Sequence, residues 1–167
     1  MPLVSPKKRR PWNTVSEQVY SISSLDKEGV LNMNIATYVT PVTMHPKRYL
    51  IAVYRNTKTH ENIFTTNAPF LLQGLSLSQL SLVKTLGKKS GLTTNKEVYL
   101  KKNTTLLKYH NSLMYLTDSL FVLSLIPESY STLGDHDLVI ATVEKVVMQN
   151  IAVALMTEDL QKAGIIG

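Results

Sequence analysis

Short segments with strand-forming character recur along this chain, and turn-forming residues separate them. Val19–Ser24 alternates along its length, Asp26-Lys27-Glu28-Gly29 supplies a tight turn, and a second strand is predicted through Val30–Val39. Thr40-Pro41 is predicted to end that strand, because proline lacks the amide hydrogen that a sheet ladder uses. Six or more such strands predict a mainly β protein, and a closed barrel is the architecture that fits them best.

Other segments add to this pattern. Tyr49–Tyr54 is continuously apolar, which predicts a strand buried on both faces. Further strands are predicted over Phe70–Leu75, Ser112–Leu125 and Asp137–Met148, all rich in leucine or β-branched residues. Lys88–Tyr109 is polar, rich in lysine and weakly patterned, so it predicts a long irregular excursion.

Helical signals are few and brief. Thr57 or Thr59 can cap a short helix that Asn67-Ala68-Pro69 ends, and Ser78–Leu86 carries apolar residues on one side. Residues 157–163 predict one more short helix. An alternating plan of parallel strands and helices needs more and longer helices than these.

The net charge of +6 on 167 residues is distributed unevenly. Residues 1–14 carry +4 on a proline-rich segment, residues 15–83 carry +1, residues 84–108 carry +6 and residues 109–167 carry −5. We therefore expect a basic N-terminal arm over 1–14 and one folded domain over 15–167. The arm has two open interpretations, a nucleic-acid or nuclear-localisation patch and a solvated tail.

The absence of cysteine excludes disulfides, thiolate metal sites and cysteine nucleophiles. No apolar run approaches the ~18 residues of a membrane span, and no apolar stretch follows the basic N-terminus as in a signal peptide. We expect a cytoplasmic protein that does not contact a membrane.

Two polar clusters are candidate binding sites. Arg55–Thr59 places two cations and two hydroxyls at a predicted helix start, which suits a phosphate but equally suits an ordinary capped helix. Asn34, Thr37, Tyr38 and Thr40 could form hydrogen bonds to the edge of a ligand ring, or form the exposed face of a strand.

A third cluster, Asp135-His136-Asp137, offers a proton-handling pair, a weak metal site or a simple turn. Four scattered histidines argue against a metal site, so we predict none. No nucleophile motif or glycine-rich nucleotide loop is present, and an enzyme of this sequence would depend on a cofactor for its chemistry.

Four segments occur in order at short spacings, and together they are more specific than any one of them. They are Val19-Tyr20-Ser21-Ile22-Ser23, Asn32-Met33-Asn34-Ile35-Ala36-Thr37-Tyr38-Val39-Thr40, Met44-His45-Pro46-Lys47 and Tyr54-Arg55-Asn56-Thr57-Lys58-Thr59-His60-Glu61-Asn62. With Gly134-Asp135-His136 and the strand after it, this arrangement resembles the flavin reductase-like, FMN-binding split-barrel family. The resemblance covers residues 11–147 and is weakest over 84–110.

The resemblance implies a six-stranded Greek-key split barrel, a homodimer, and FMN held near the subunit interface. It places the flavin ring along one stretch of the second strand, formed by Asn34, Ala36, Thr37, Tyr38, Val39 and Thr40. It places the FMN phosphate on Arg55, Asn56, Thr57, Lys58 and Thr59. It places His136 beside the flavin or a nicotinamide.

The chain departs from the common family pattern at His45-Pro46-Lys47, where many members have two prolines. This resembles a subgroup that includes flavoredoxin-like proteins. Three functions are therefore compatible with the sequence. The first is an NAD(P)H-dependent FMN oxidoreductase, and the second is an FMN electron carrier that takes electrons from a redox partner protein. The third is a basic barrel that binds nucleic acid, which the uneven charge disfavours.

Overall fold

The computed structural model describes residue 11 and residues 14–167 of the chain. The predicted arm over 1–14 therefore lies almost entirely outside the described residues. Nine strands and four α-helices are described: β1 (Tyr20–Leu25), β2 (Leu31–Ala36), β3 (Val39–Thr43), β4 (Arg48–Tyr54), α1 (Lys58–Thr66), β5 (Phe70–Gly74), α2 (Leu80–Lys88), α3 (Lys96–Asn103), β6 (Leu107–His110), β7 (Leu113–Leu116), β8 (Phe121–Leu133), β9 (His136–Gln149) and α4 (Thr157–Lys162).

Seven strands form one antiparallel sheet in the order β2-β1-β5-β8-β9-β4-β3, and β6 pairs with β7 in a separate hairpin. The two edge strands, β2 and β3, are consecutive in the chain and are joined by Thr37 and Tyr38 alone. Ala36 and Val39, which end β2 and begin β3, are three residues apart and so lie at most ~11 Å from each other, which means that the sheet must curl until its edges approach. The predicted mainly β split barrel is confirmed, with seven strands in the sheet instead of six.

The first hairpin forms as the turn residues predict. The Asp26 carboxylate accepts the amide hydrogens of Glu28 (3.0 Å) and Val30 (2.8 Å), and Gly29 takes a left-handed φ of 79°. Glycine adopts that conformation without the steric cost that a Cβ imposes. The chain thereby reverses within four residues and brings β2 alongside β1.

Three details of the sequence prediction are wrong. Pro41 lies inside β3, because an edge strand needs no ladder amide on its outer side. Strand β4 alternates, with Ile51 and Val53 buried and Tyr54 exposed, so it is not buried on both faces. The segment 88–109 contains α3 and most of β6 instead of an irregular loop.

Apolar side chains pack on both faces of the β1–β2 region. Ile22, Ile51, Phe70 and Val139 belong to a core cluster inside the curled sheet, together with Ile63 of α1. A second cluster lies on the opposite face and joins the strands to α2, α3 and α4 through Met33, Leu86, Leu100 and Leu160, among others. Helices α2 and α4 are therefore held against the outside of the barrel, near the place where its edge strands β2 and β3 approach each other, which we call the split edge. None of the described helices is long and apolar enough to cross a membrane.

Candidate functional site

A cavity of about 1010 Å³ lies at the split edge of the barrel. Its size is that of a site for a cofactor-sized ligand. Its lining includes Ile35, Thr37, Tyr38, Val39 and Thr40 from the β2–β3 region, Leu50, Ala52 and Leu138 from β4 and β9, Val83, Gly87 and Lys88 from α2, and Thr157, Leu160, Gln161, Ile165 and Ile166 from α4 and the residues after it.

Strand register explains the wall formed by β3 and β4. Thr40 pairs with Leu50, and the Ala52 amide donates to the Tyr38 carbonyl at 3.0 Å. Side chains of directly paired residues lie on the same face, and that face alternates along each strand. The hydroxyl of Thr40 and the apolar side chains of Leu50 and Ala52 therefore line the cavity, whereas Ile51 packs in the core.

The structure places the predicted ring-binding residues in two groups. Thr37, Tyr38, Val39 and Thr40 line the cavity, but Asn34 and Ala36 do not. The Asn34 side-chain oxygen accepts the amide hydrogen of Ile35 (2.8 Å), and Ala36 packs against the barrel core. Ile35, which was not predicted, lies between them and does line the cavity.

The segment Arg55–Thr59 forms the start of α1, as the helix-cap interpretation predicted. Thr57 is the N-cap residue, and its hydroxyl accepts from the His60 amide (3.2 Å) and donates to the Tyr54 carbonyl (2.8 Å). Thr59 is buried, and its hydroxyl accepts from the Asn32 side-chain amide at 3.0 Å. Asn56 precedes the cap with a left-handed φ of 61°. The phosphate role of this segment stays a prediction, since none of its residues lines the cavity.

Both cations of this segment are paired with carboxylates. The Lys58 ammonium lies 2.8 Å from Glu61 and 3.2 Å from Asp26, and the hydrogen bond to Glu61 is the main cause of its raised pKa. The Arg55 guanidinium donates to Oδ1 of Asp137 through Nε (2.9 Å) and Nη2 (2.6 Å). Their positive charges are thus balanced within the protein.

Asp137 connects three parts of the structure. Besides the guanidinium of Arg55, it accepts a hydrogen bond from His60 Nε2 at 2.7 Å and one from the Leu133 amide at 3.3 Å. The hydrogen bonds from Arg55 and then His60 hold the pKa of the Asp137 carboxyl well below its usual range. An ionised Asp137 therefore ties the start of α1 to the turn between β8 and β9.

His136 lies beside the cavity without lining it. Its Nδ1 is 2.7 Å from the Asp135 carboxylate, which lowers the pKa of Asp135. Its ring centroid is 5.3 Å from that of Tyr38 and 5.1 Å from that of Tyr54. Because Tyr38 lines the cavity, His136 contacts the cavity wall through this tyrosine ring. Among the described residues, no group of three or more His, Asp or Glu side chains is arranged to hold a metal ion.

The sequence analysis did not predict that α2 and α4 form one wall of the cavity. The alternation of β4 could have assigned Leu50 and Ala52 to one face. No local signal could have placed Lys88 or Gln161 in the lining of the same cavity as Thr40, because that arrangement arises only when the helices pack on the barrel.

The curled antiparallel sheet and the cavity at its split edge define a split-barrel protein with a site for a cofactor-sized ligand. The flavin reductase like domain matches residues 12–159 of the chain. The protein therefore belongs to the flavin reductase-like family. Comparison with curated protein sequences gives no match.

Solved structures of similar fold agree with this family. An FMN-binding protein from Thermus thermophilus, solved with bound 1-cyclohex-2-enone, has a TM-score of 0.70 at 19% identity, over 87% of this chain and 79% of that one. The styrene monooxygenase flavin reductase of Pseudomonas putida S12 has a TM-score of 0.70 at 16% identity, over 85% of this chain and 86% of that one. BorF, the flavin reductase component of a bacterial two-component tryptophan halogenase, has a TM-score of 0.73 at 12% identity, over 87% of this chain and 88% of that one. At these identities the likeness demonstrates the shared fold.

Proposed function

We propose that this protein binds FMN in the cavity and acts as an NAD(P)H-dependent flavin reductase. The observation that carries the proposal is the cavity itself, which lies at the split edge of a flavin reductase-like barrel and is walled by Thr37–Thr40. The proposal also draws on the FMN-binding protein and the flavin reductases that share this fold.

The lining suits a flat ring with a polar edge. Leu50, Ala52 and Leu138 offer apolar contact, while Thr37 and Thr40 add hydroxyl groups that can donate or accept hydrogen bonds. In this proposal the ring lies along Thr37–Thr40, and its phosphate lies toward the start of α1. Bound FMN would supply the redox chemistry, accepting a hydride from the nicotinamide and passing electrons to an acceptor.

His136 is the proposed nicotinamide-side residue. Its Nδ1 is held by Asp135, and its ring contacts the rings of Tyr38 and Tyr54, so its orientation is restrained by three neighbours. Such restraint suits a group that positions a second ring near the first, where the gain comes from orientation. Tyr38 and Tyr54 are 56% and 52% exposed, which leaves room at the cavity mouth for a nicotinamide.

One preparation tests the proposal against its alternatives. Purified protein supplemented with FMN and then desalted should be yellow, and anaerobic NADH or NADPH should bleach it. A yellow protein that is inert to both nucleotides but is reduced by dithionite is an electron carrier that depends on a redox partner protein. A colourless protein that takes up no FMN yet retains an oligonucleotide contradicts both flavin functions.

We further propose a homodimer of the 15–167 domain in the cytoplasm. Exposed apolar side chains support the dimer, since Val42 in β3 and Met44 just after it are 44% and 71% exposed. A second subunit that covers them would also exclude water from the site. Light scattering during gel filtration tests this, because a monomer of 18.7 kDa is readily distinguished from a dimer.

A further inference from the structure

The cavity has a cationic residue that the sequence prediction did not assign to it. Among the described residues, Lys88 is the one lysine or arginine in the cavity lining. It lies in the last turn of α2, and its neighbour Gly87 lines the cavity as well. Arg55 and Lys58, the cations predicted to bind phosphate, do not line it.

These three side chains differ in their ion pairing. Asp137 neutralises Arg55, and Glu61 together with Asp26 neutralises Lys58. No carboxylate in the part of the chain that the structure describes forms an ion pair with Lys88, which is exposed. Lys88 therefore retains a charge that can pair with a ligand anion.

The backbone that carries Lys88 is held at three points. A Cβ at Gly87 would lie 3.3 Å from the Ile35 side chain, so α2 packs tightly on β2 here. The buried Lys96 ammonium donates to the carbonyl of Leu86 (2.7 Å) and to that of Met33 (3.4 Å). These contacts link the end of α2 to β2.

The third point at which this backbone is held is Gly91. A Cβ on Gly91 would overlap the Asn32 side-chain oxygen and would lie 2.9 Å from Lys58 Cβ. Gly91 is three residues from Lys88, a span of at most ~11 Å in an extended chain. The segment Gly87–Gly91 thus runs from the cavity wall to the start of α1, where the phosphate end of the ligand is proposed to lie.

We infer that Lys88 binds the phosphate of the ligand in the cavity. The inference rests on the proposed function and names the side chain that pairs with the anionic end of the ligand. An ammonium is a compact point charge with three donors, which suits a phosphate monoester or a pyrophosphate. The phosphate can belong to FMN or to the nicotinamide dinucleotide.

The test compares flavins with and without phosphate. FMN and riboflavin are titrated into the parent, Lys88→Gln and the matched control Lys89→Gln, with flavin fluorescence as the readout. Lys89 is the exposed neighbour of Lys88 and is not in the cavity lining. We expect Lys88→Gln to raise the Kd for FMN about tenfold, the scale of one lost charge-assisted contact, and to leave riboflavin unchanged. Lys89→Gln should change neither.

Each other result has a defined meaning. An unchanged Kd for FMN with a raised KM for NADH or NADPH supports Lys88 and assigns it to the phosphates of the dinucleotide. Equal weakening of FMN and riboflavin, or no effect on either flavin or on KM, overturns the inference while leaving the proposed function intact. A parent that binds neither flavin overturns the proposed function, and with it this inference.

Discussion

Arg55 binds a single carboxylate oxygen of Asp137 through two of its nitrogens, with Nε at 2.9 Å and Nη2 at 2.6 Å from Oδ1. The residues are 82 positions apart, and the pairing of β4 with β9 brings them together. A residue predicted to bind a phosphate thus already has an anion in contact with it. The same carboxylate binds His60, so the ion pair also fixes α1 relative to the β8–β9 turn.

The Arg55–Asp137 pair predicts a specific response to acid. Folded Asp137 stays ionised below its usual pKa, whereas in the unfolded chain it takes up a proton near pH ~4. The unfolded state therefore binds more protons as the pH falls below ~4, and the free energy of unfolding decreases. Asp137→Asn should lower stability at pH 6 and flatten this acid dependence. Urea unfolding from pH 6 to pH 2.5 measures both effects.

The control for that variant is Asp118→Asn, because Asp118 forms no ion pair with the described residues. It should keep the acid dependence of the parent. An Asp137→Asn protein whose stability follows pH as steeply as that of the parent would show that the ion pair contributes little.

The hydroxyl of Thr57 is predicted to stabilise α1 whether or not it contacts a ligand. Thr57→Ala removes the acceptor for the His60 amide, which costs about 1 kcal/mol for a typical N-cap. Thr57→Ser keeps the hydroxyl and should lower the free energy of unfolding by a few tenths of a kcal/mol at most. Urea unfolding of both variants in the absence of flavin measures the cap alone. Equal stability of the alanine and serine variants would contradict the assigned cap.

His136→Ala should slow nicotinamide oxidation while leaving flavin content near that of the parent. His136 contacts Tyr38 and does not line the cavity, so its removal does not delete a direct contact with the proposed flavin position. We expect kcat/KM for NADH or NADPH to fall about tenfold, the scale of one lost orienting interaction. Stopped-flow reduction of the FMN-loaded protein measures the rate. His110→Ala, in the separate β6–β7 hairpin, serves as control; an unchanged rate in His136→Ala would make His136 a structural residue.

The burial of Lys96 predicts that the free energy of unfolding depends on pH in the alkaline range. Its ammonium is buried against two carbonyl oxygens, and burial lowers its pKa to about 8. Between pH ~8 and ~10.5 the unfolded chain binds this proton and the folded chain does not, so its contribution to stability rises with pH. Relative to that of Lys96→Met, the free energy of unfolding of the parent should increase by about 3 kcal/mol at most across this pH range.

Denaturant unfolding at pH 7.5, 9 and 10.5 measures that difference. Lys89→Met removes an exposed lysine close to the same segment and should keep the alkaline rise of the parent. If Lys96→Met shows the same rise, Lys96 is charged and accommodated in the folded protein throughout the range.

Local physics explains which elements were predictable. The Asp26–Gly29 turn, the cap at Thr57 and the end of α1 at Asn67 all depend on residues within a few positions of one another. Strand alternation likewise depends on side chains two residues apart. These features are sufficient to predict a mainly β barrel with brief helices, and the family resemblance then specified a split barrel.

Helix α3 shows where local patterns fail. Its apolar residues have no strong periodicity, yet Asn95 caps it, and Lys101 pairs with Glu97 at 2.8 Å. Leu100 and the stem of Lys96 are buried against the barrel. Packing against β2 stabilises a helix whose own sequence favours it only weakly.

The sequence alone therefore determined most of the strands, the first turn and the first helix cap, and it predicted a ligand-edge role for the stretch that includes Thr37–Thr40, which lies in the cavity lining. Tertiary structure decided which cations remain available at the cavity. Arg55 and Lys58 carry the same charge as Lys88, but Asp137 and Asp26 reach the first two only after the strands have paired, and Asp26 then adds to the local contact between Lys58 and Glu61. Ion pairing depends on distance in space, and local spacing along the chain carries no information about partners 32 or 82 residues away.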